Sequence, residues 1–139
     1  MAKKSSSTIV PRGIRNNNPL NIRIGNTWLG EVARPTDSDF EQFVSPVYGL
    51  RAAFCILRRY IRRYGKNTPE AIIRTWAPSA ENDTEKYITV VCHRAQLERT
   101  QFIDFFDKVT MCKLVKAMAF VETGSILDDQ LIEKGYDLS

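Results

Sequence analysis

An α+β fold dominated by helices is what the sequence predicts: five or so helices around one small β-hairpin, in a single domain covering residues 12–139. Three observations carry that reading. Apolar residues recur at three- and four-residue spacing through most of the chain after residue 45. Ser-Pro and Thr-Pro start signals open two of those stretches. Short apolar runs broken by glycine occur in one region, residues 20–44, so the hairpin has one place to go.

Residues 1–11 read as a flexible arm ending at Pro11. RGIRNNNPLNIR follows over residues 12–23, and neither helix nor strand periodicity calls for three consecutive asparagines, a proline and a fourth asparagine. Asparagine carries an acceptor and two donors on a short side chain and tolerates left-handed backbone, so the cluster predicts a rigid polar turn. Ile22, Ile24, Trp28, Phe40 and Phe43 then predict two or three short strands, broken by Gly25, Gly30 and the polar run Thr36, Asp37, Ser38, Asp39.

Ser45 and Pro46 start a helix whose stripe is Val47, Leu50, Phe54, Leu57, Ile61 and Tyr64, and Gly65 ends it. Thr68 and Pro69 start a shorter helix with Ile72, Ile73 and Trp76 on its buried face, closed by Pro78. Asn82 with Glu85 three positions on matches a capping box, and Tyr87, Ile88 and Val91 give the next helix its core face. Residues 102–106 form an apolar link to the most hydrophobic helix, residues 107–122. A last short helix over residues 127–134 ends at Gly135.

Composition narrows the chemistry. The chain is 43% hydrophobic and 26% charged, which is ordinary globular composition, and no stretch approaches the roughly 20 apolar residues of a membrane span. Residues 1–10 hold two lysines and three serines but no apolar core of signal-peptide length, so no Sec export route is expected. Cys55, Cys92 and Cys112 lie far apart among apolar neighbours and read as buried, inert thiols. The one histidine, His93, adjoins only Cys92, so no metal site is expected; with no nucleophile elbow no serine triad is expected, and no glycine-rich phosphate loop points to a cofactor.

A net charge of +4 favours anionic polymers without choosing among nucleic acid, teichoic acid and peptidoglycan. RRYIRRY, residues 58–64, interleaves arginine with tyrosine, as single-strand binders do. On a helix, however, Tyr60 and Tyr64 join the Leu57 and Ile61 face while the arginines spread over the solvated side. No specific nucleic-acid interface is expected.

Breaking a sugar bond calls for a carboxylic acid still protonated near neutral pH, and burial against apolar groups is what raises such a pKa. The candidate is therefore a carboxylate on a core face. Glu122 qualifies: four, seven and eleven residues back stand Met118, Val115 and Met111, with Cys112 alongside. Thr123 and Gly124 stop the helix just after it, which puts the carboxyl either at the rim of the core facing a cleft or in solvent from a frayed last turn. Glu81 and Asp83, in the loop WAPSAENDT, are the second carboxylate candidates, and both also suit a helix N-terminus. Trp76 just before them offers a flat face for a sugar ring, or simply fills the core.

RGIRNNNPLNIR with Trp28 and Gly30, then DFEQF, YGLRA, NTPEAIIRTWAPSAENDTEKYI and FVETG, resembles small lysozyme-superfamily proteins of phages and prophages. Relatives of that family include the lytic protein of enveloped double-stranded-RNA phages, and its members carry RNNNPGN followed by WAPPSENDT. The resemblance covers residues 12–136 and implies a lysozyme-like helical domain with a small β-hairpin, acting on bacterial peptidoglycan, from a phage, a prophage or a bacterial genome holding one. A monomer without cofactor is expected, made in the bacterial cytoplasm and reaching the wall or the virion by a route other than a signal peptide.

Two departures stand out. Leu20 occupies the motif's glycine position, and the catalytic glutamate that lytic transglycosylases place before the asparagine-rich hairpin is absent, since the first acidic residue is Glu31. Circular permutation would account for the second, because FVETG resembles the apolar helix that ends in the catalytic acid. Glu122 would then be the general acid. Asn17, Asn18 and Asn21 would shape the groove and bond sugar hydroxyls or N-acetyl groups, with Trp76 and Tyr87 completing the substrate-binding set, and Glu81 or Asp83 would assist the transition state or position water. The alternatives are a non-catalytic virion or wall-binding module and a murein endopeptidase. Permutation requires the Glu122 carboxyl within about 10 Å of the asparagine turn, the reach of groups that flank one glycosidic bond.

Overall fold

The computed structural model describes residues 9–80 and 82–139. The expected arm lies mostly outside the described residues, and its last part, Ile9 and Val10, is exposed. Six helices follow among the described residues: α1 (Arg12–Arg15), α2 (Pro46–Arg62), α3 (Pro69–Trp76), α4 (Thr84–Ala95), α5 (Lys108–Thr123) and α6 (Asp129–Leu138). Local chemistry sets their starts. Side chains of Ser45, Thr68, Asp83, Asp107 and Asp128 each accept a backbone N–H from the first turn of α2 to α6 in order, supplying partners those groups lack within the helix.

Several boundaries differ from the sequence reading. The one-turn α1 was not expected, because four residues carry no readable period. α4 is capped by Asp83 and not by Asn82, whose amide donates to the Pro78 carbonyl at 3.1 Å. Glu85, the other half of the expected box, instead meets Arg74 at 2.8 Å and Arg99 at 3.0 Å. α2 stops at Arg62, so Tyr64 falls past its end and is exposed instead of extending the buried stripe. α6 runs through Gly135 to Leu138: a Cβ there would lie 2.6 Å from the Cβ of Leu50, so this glycine sits inside a tight α2–α6 crossing and terminates nothing.

The expected hairpin strands reduce to two isolated antiparallel bridges, Arg23 with Phe40 and Glu31 with Phe43. Side chains take the place of a ladder. Asp37 accepts the N–H groups of Asp39 and Phe40, and Gln42 accepts those of Thr36 and Asp37. Arg12 clamps Asp37 from α1 at 2.6 Å and holds that carboxyl well below the usual carboxylate range, with a further bond from Asn16. Residues in a loop so heavily bonded to side chains have few backbone groups left for regular strand pairing.

The core is drawn from α2 to α6 and the loop before α2, with Leu20, Phe43, Leu50, Phe54, Leu57, Ile72, Ile73, Ile88, Met111, Leu114, Met118 and Ile132 buried. α2 packs chiefly on α6 and α4 chiefly on α5, while α1 rests on α5 and so joins the start of the described chain to a late helix. Gly13 permits that approach, since a Cβ there would stand 2.7 Å from Asn21 Oδ1 and 3.0 Å from Thr123 Cγ2. The left-handed backbone of the turn falls on Asn17 and Asn21, at φ 54° and 52°. Leu20 therefore needs no glycine geometry, and its side chain is fully buried.

Asn18 is the centre of the turn. It is wholly buried, accepts the Ile22 N–H at 2.9 Å, and donates to the carbonyls of Ile22 at 2.9 Å and Glu41 at 3.0 Å. Replacing it by alanine strands those three backbone groups, so Asn18→Ala is expected to lower unfolding stability by about 3 kcal/mol. Chemical denaturation read by circular dichroism measures this, and a loss below about 1 kcal/mol would show that water replaces the side chain.

Candidate functional site

The asparagine turn and the end of α5 meet. Asn21 Nδ2 donates to Glu122 Oε1 at 3.0 Å and also reaches the Glu122 carbonyl at 3.3 Å. This is far inside the limit of about 10 Å that a shared glycosidic bond imposes. The other oxygen, Oε2, accepts from Tyr87 Oη of α4 at 2.9 Å and from Trp76 Nε1 at the end of α3 at 3.3 Å. Three separate segments thus converge on one half-buried carboxylate of α5, which two rigid aromatic donors and one amide fix in rotation.

Glu122 opens into a groove of about 850 Å³. Asn21, Arg23, Asn26, Thr27, Trp28 and Phe40 line it from the loop side, Cys55, Ile56, Arg59 and Tyr60 from α2, and Trp76, Ala77, Pro78 and Asn82 from the end of α3 and beyond. Tyr60 meets Trp76 edge to face at 6.4 Å between centroids, giving the wall a continuous aromatic surface. Trp28 keeps a buried indole N–H with no hydrogen-bond partner. Glu122 is the one carboxylate among the described lining residues.

No protein-family model matches the sequence. Over 118 residues, 82% of this chain and 72% of the relative, it is 43% identical to Protein P5 of Pseudoalteromonas phage PM2. The chain belongs to the family of Protein P5. Membership supports a phage origin.

The structure separates the sequence candidates of this family member into those at the groove and those beside it. Glu122, Asn21 and Trp76 come together there, and Trp76, read as either core filler or sugar platform, lines the groove while packing against the core. Tyr87 is buried behind Glu122 and reaches the groove only through that carboxylate. Burial, and then the charge and hydrogen bond of Glu122, push its pKa well above the tyrosine range, so it stays a neutral donor. Asn18 has nothing left to offer a ligand, and Asn17 spends its amide on the Phe43 carbonyl at 3.0 Å. Asp83 is the α4 cap and does not line the groove. Glu81 lies outside the described residues.

The cysteines are free and half-buried, not fully buried as expected, and Cys55 lines the groove. Desolvation pushes Cys92 up and Cys112 to about 11, so both remain protonated thiols at neutral pH.

A carboxylate pair that the sequence reading missed stands behind the groove's loop wall. Glu41 is 4% exposed, its Oε2 has no hydrogen-bond partner, and the Glu31 carboxyl lies beside it. Glu31 also accepts the N–H of Trp28, a groove residue. Burial first, and then Glu31, push the Glu41 pKa up to about 7, against weaker opposing bonds from the Gly25 and Asn26 N–H groups. The signal was present in DFEQF: two-residue alternation puts Glu41 on the same side as buried Phe43.

Because folding raises this pKa, the folded protein holds a proton that the unfolded chain releases between pH of about 4.5 and 7. The stabilisation is fully present below that window and is lost as pH rises through it. Glu41→Gln imitates the protonated form, so it is expected to raise Tm by several degrees at pH 8 and by little at pH 5. Thermal melts at the two pH values decide this, and an equal shift at both would remove the titration from the explanation.

Proposed function

We propose that this protein degrades peptidoglycan by cleaving its glycan strand, with Glu122 as the general acid. The observation that carries the reading is the Glu122 carboxyl, held by Asn21, Trp76 and Tyr87 at the wall of an aromatic groove of sugar-binding size. In this reading the fold is a lysozyme-like one in circular permutation, with the acid-bearing helix α5 late in the chain and the asparagine turn early. The contact between α1 and α5 and the approach of Gly13 to Thr123 support that arrangement.

As general acid, Glu122 gives a proton to the glycosidic oxygen as the bond from that oxygen to the sugar's anomeric carbon breaks. In transglycosylation a hydroxyl of the same sugar then attacks the anomeric carbon and returns its proton to Glu122, leaving an anhydro ring. In hydrolysis water attacks and a reducing end forms. Aromatic faces of Trp76, Tyr60 and Trp28 carry the sugar rings, and Asn21 fixes the carboxyl. One carboxylate among the described lining residues favours transglycosylation, which needs no second carboxylate as nucleophile or as base for water.

The lack of a second carboxylate among the described lining residues also favours one other reading, a non-catalytic wall-binding module of the virion. Purified sacculi separate them. Release of soluble fragments by the wild-type protein, falling about 10²- to 10⁴-fold in Glu122→Gln with the circular dichroism spectrum unchanged, is the expected result. Trp76→Phe keeps the packing and loses one hydrogen bond, so about a three- to tenfold loss is expected. Binding without release across pH 4 to 8 would favour the module. Mass spectrometry assigns the bond: anhydro ends mark transglycosylation, reducing ends hydrolysis, and free stem peptides an endopeptidase.

A further inference from the structure

Two arginines of the groove have no role in the reading above. Arg23 comes from the loop and Arg59 from α2, and with Glu122 they are the charged residues among the described lining. Arginines elsewhere in the chain are often engaged. Arg12 pairs with Asp37 and Asp39, while Arg74 and Arg99 share Glu70 and Glu85. In the basic segment at residues 58–64, Arg58 stands over Phe105 at 5.7 Å, Arg62 over Phe106 at 4.7 Å and Arg63 over Tyr64 at 5.8 Å. Arg59 does none of these things: among the described residues it meets no carboxylate and covers no ring, and it lines the groove. Arg23 likewise meets no carboxylate among the described residues, and the Phe40 ring, 4.9 Å below its guanidinium, supports it at the groove's edge.

An unpaired guanidinium in a sugar-sized groove is chemistry for a carboxylate, because its planar fork matches two carboxylate oxygens. Two of them beside one carboxyl group, itself already held by three donors, leave the described lining with surplus positive charge. Neutral N-acetylglucosamine polymers have nothing to meet it. A strand in which alternate sugars bear a lactyl carboxylate, or a peptide ending in carboxylates, does. We propose that Arg23 and Arg59 form a carboxylate subsite that makes this groove select anionic, muramic-acid-containing glycan over neutral chitin-type glycan.

The inference rests on the glycan reading of the groove, and the experiment keeps the two apart. Binding of Glu122→Gln protein, which holds substrate without turnover, is measured by calorimetry against three probes. These are chitooligosaccharides, glycan strands stripped of peptide by an amidase so that only lactyl carboxylates remain, and strands retaining stem peptides. Anionic strands are expected to bind at least about tenfold more tightly than chitooligosaccharides of equal length. In the double variant Arg23→Gln, Arg59→Gln that ratio is expected to fall toward one, while lysine at both positions restores part of it by charge alone.

If the stripped strands show the full preference, the lactyl group is the ligand, and if only peptide-bearing strands show it, the stem peptide is. Equal binding of neutral and anionic strands, or a preference the arginine variants leave untouched, overturns the subsite and leaves the glycan reading standing. Binding to none of the three overturns both.

Discussion

The buried Asn18 side chain is the constraint on which the rest depends. Its three hydrogen bonds tie the turn to Ile22 on one side and to Glu41 on the other, across a loop that has no regular ladder to hold it. A loop of this length without strand pairing would ordinarily be loose. Here it is fixed from within by Asn18, Asp37 and Gln42, and from α1 by Arg12. That fixing puts Asn21 against α5 and turns Arg23, Trp28 and Phe40 into a groove wall.

The position of Glu122 follows from the same constraint, combined with helix packing. Its backbone is set by α5 and by the left-handed Gly124 cap, but its carboxyl is oriented by groups from elsewhere: Asn21 from the turn, Trp76 from the end of α3 and Tyr87 from α4. None is a chain neighbour of Glu122, and the longest separation, to Asn21, is 101 residues. Such a carboxyl cannot adopt its rotamer until the whole tertiary structure is in place. Division of labour within the asparagine cluster has the same origin. Asn16, Asn17 and Asn18 spend their amides within the turn and on its loop, and only Asn21 reaches outward to a candidate catalytic group.

How much of this was legible in the sequence depended on the range of the interaction. The helical content, the Ser45 and Thr68 starts and the stripe of α2 were readable because they rest on neighbours three or four residues apart. Glu122 was readable for the same reason, as an acid on an apolar helix face at a glycine stop. Strands were over-read: the short apolar stretches that hold Ile22, Ile24, Phe40 and Phe43 give no sign that Asp37 and Gln42 will claim the backbone groups a ladder needs. Gly135 looked like a terminator because a glycine's local meaning is a stop, whereas its use here is to admit Leu50 of α2. Arg59 was assigned to a solvated face and Tyr60 to the apolar stripe, and only the apposition of α2 with the end of α3 makes the two part of a groove wall.

The groove and the Glu31–Glu41 pair share one wall, and this couples them physically. Glu31 bonds the N–H of Trp28, and Gly25 and Asn26 donate to Glu41, so residues 25–28 are held partly by carboxylates on the side away from the groove. When both carboxylates are charged their repulsion acts directly on that segment, whereas one shared proton relieves it. The loop wall is therefore more firmly seated at the acidic end of the range. Protonation of Glu41 thus acts on the groove through its loop wall, without Glu41 itself lining it.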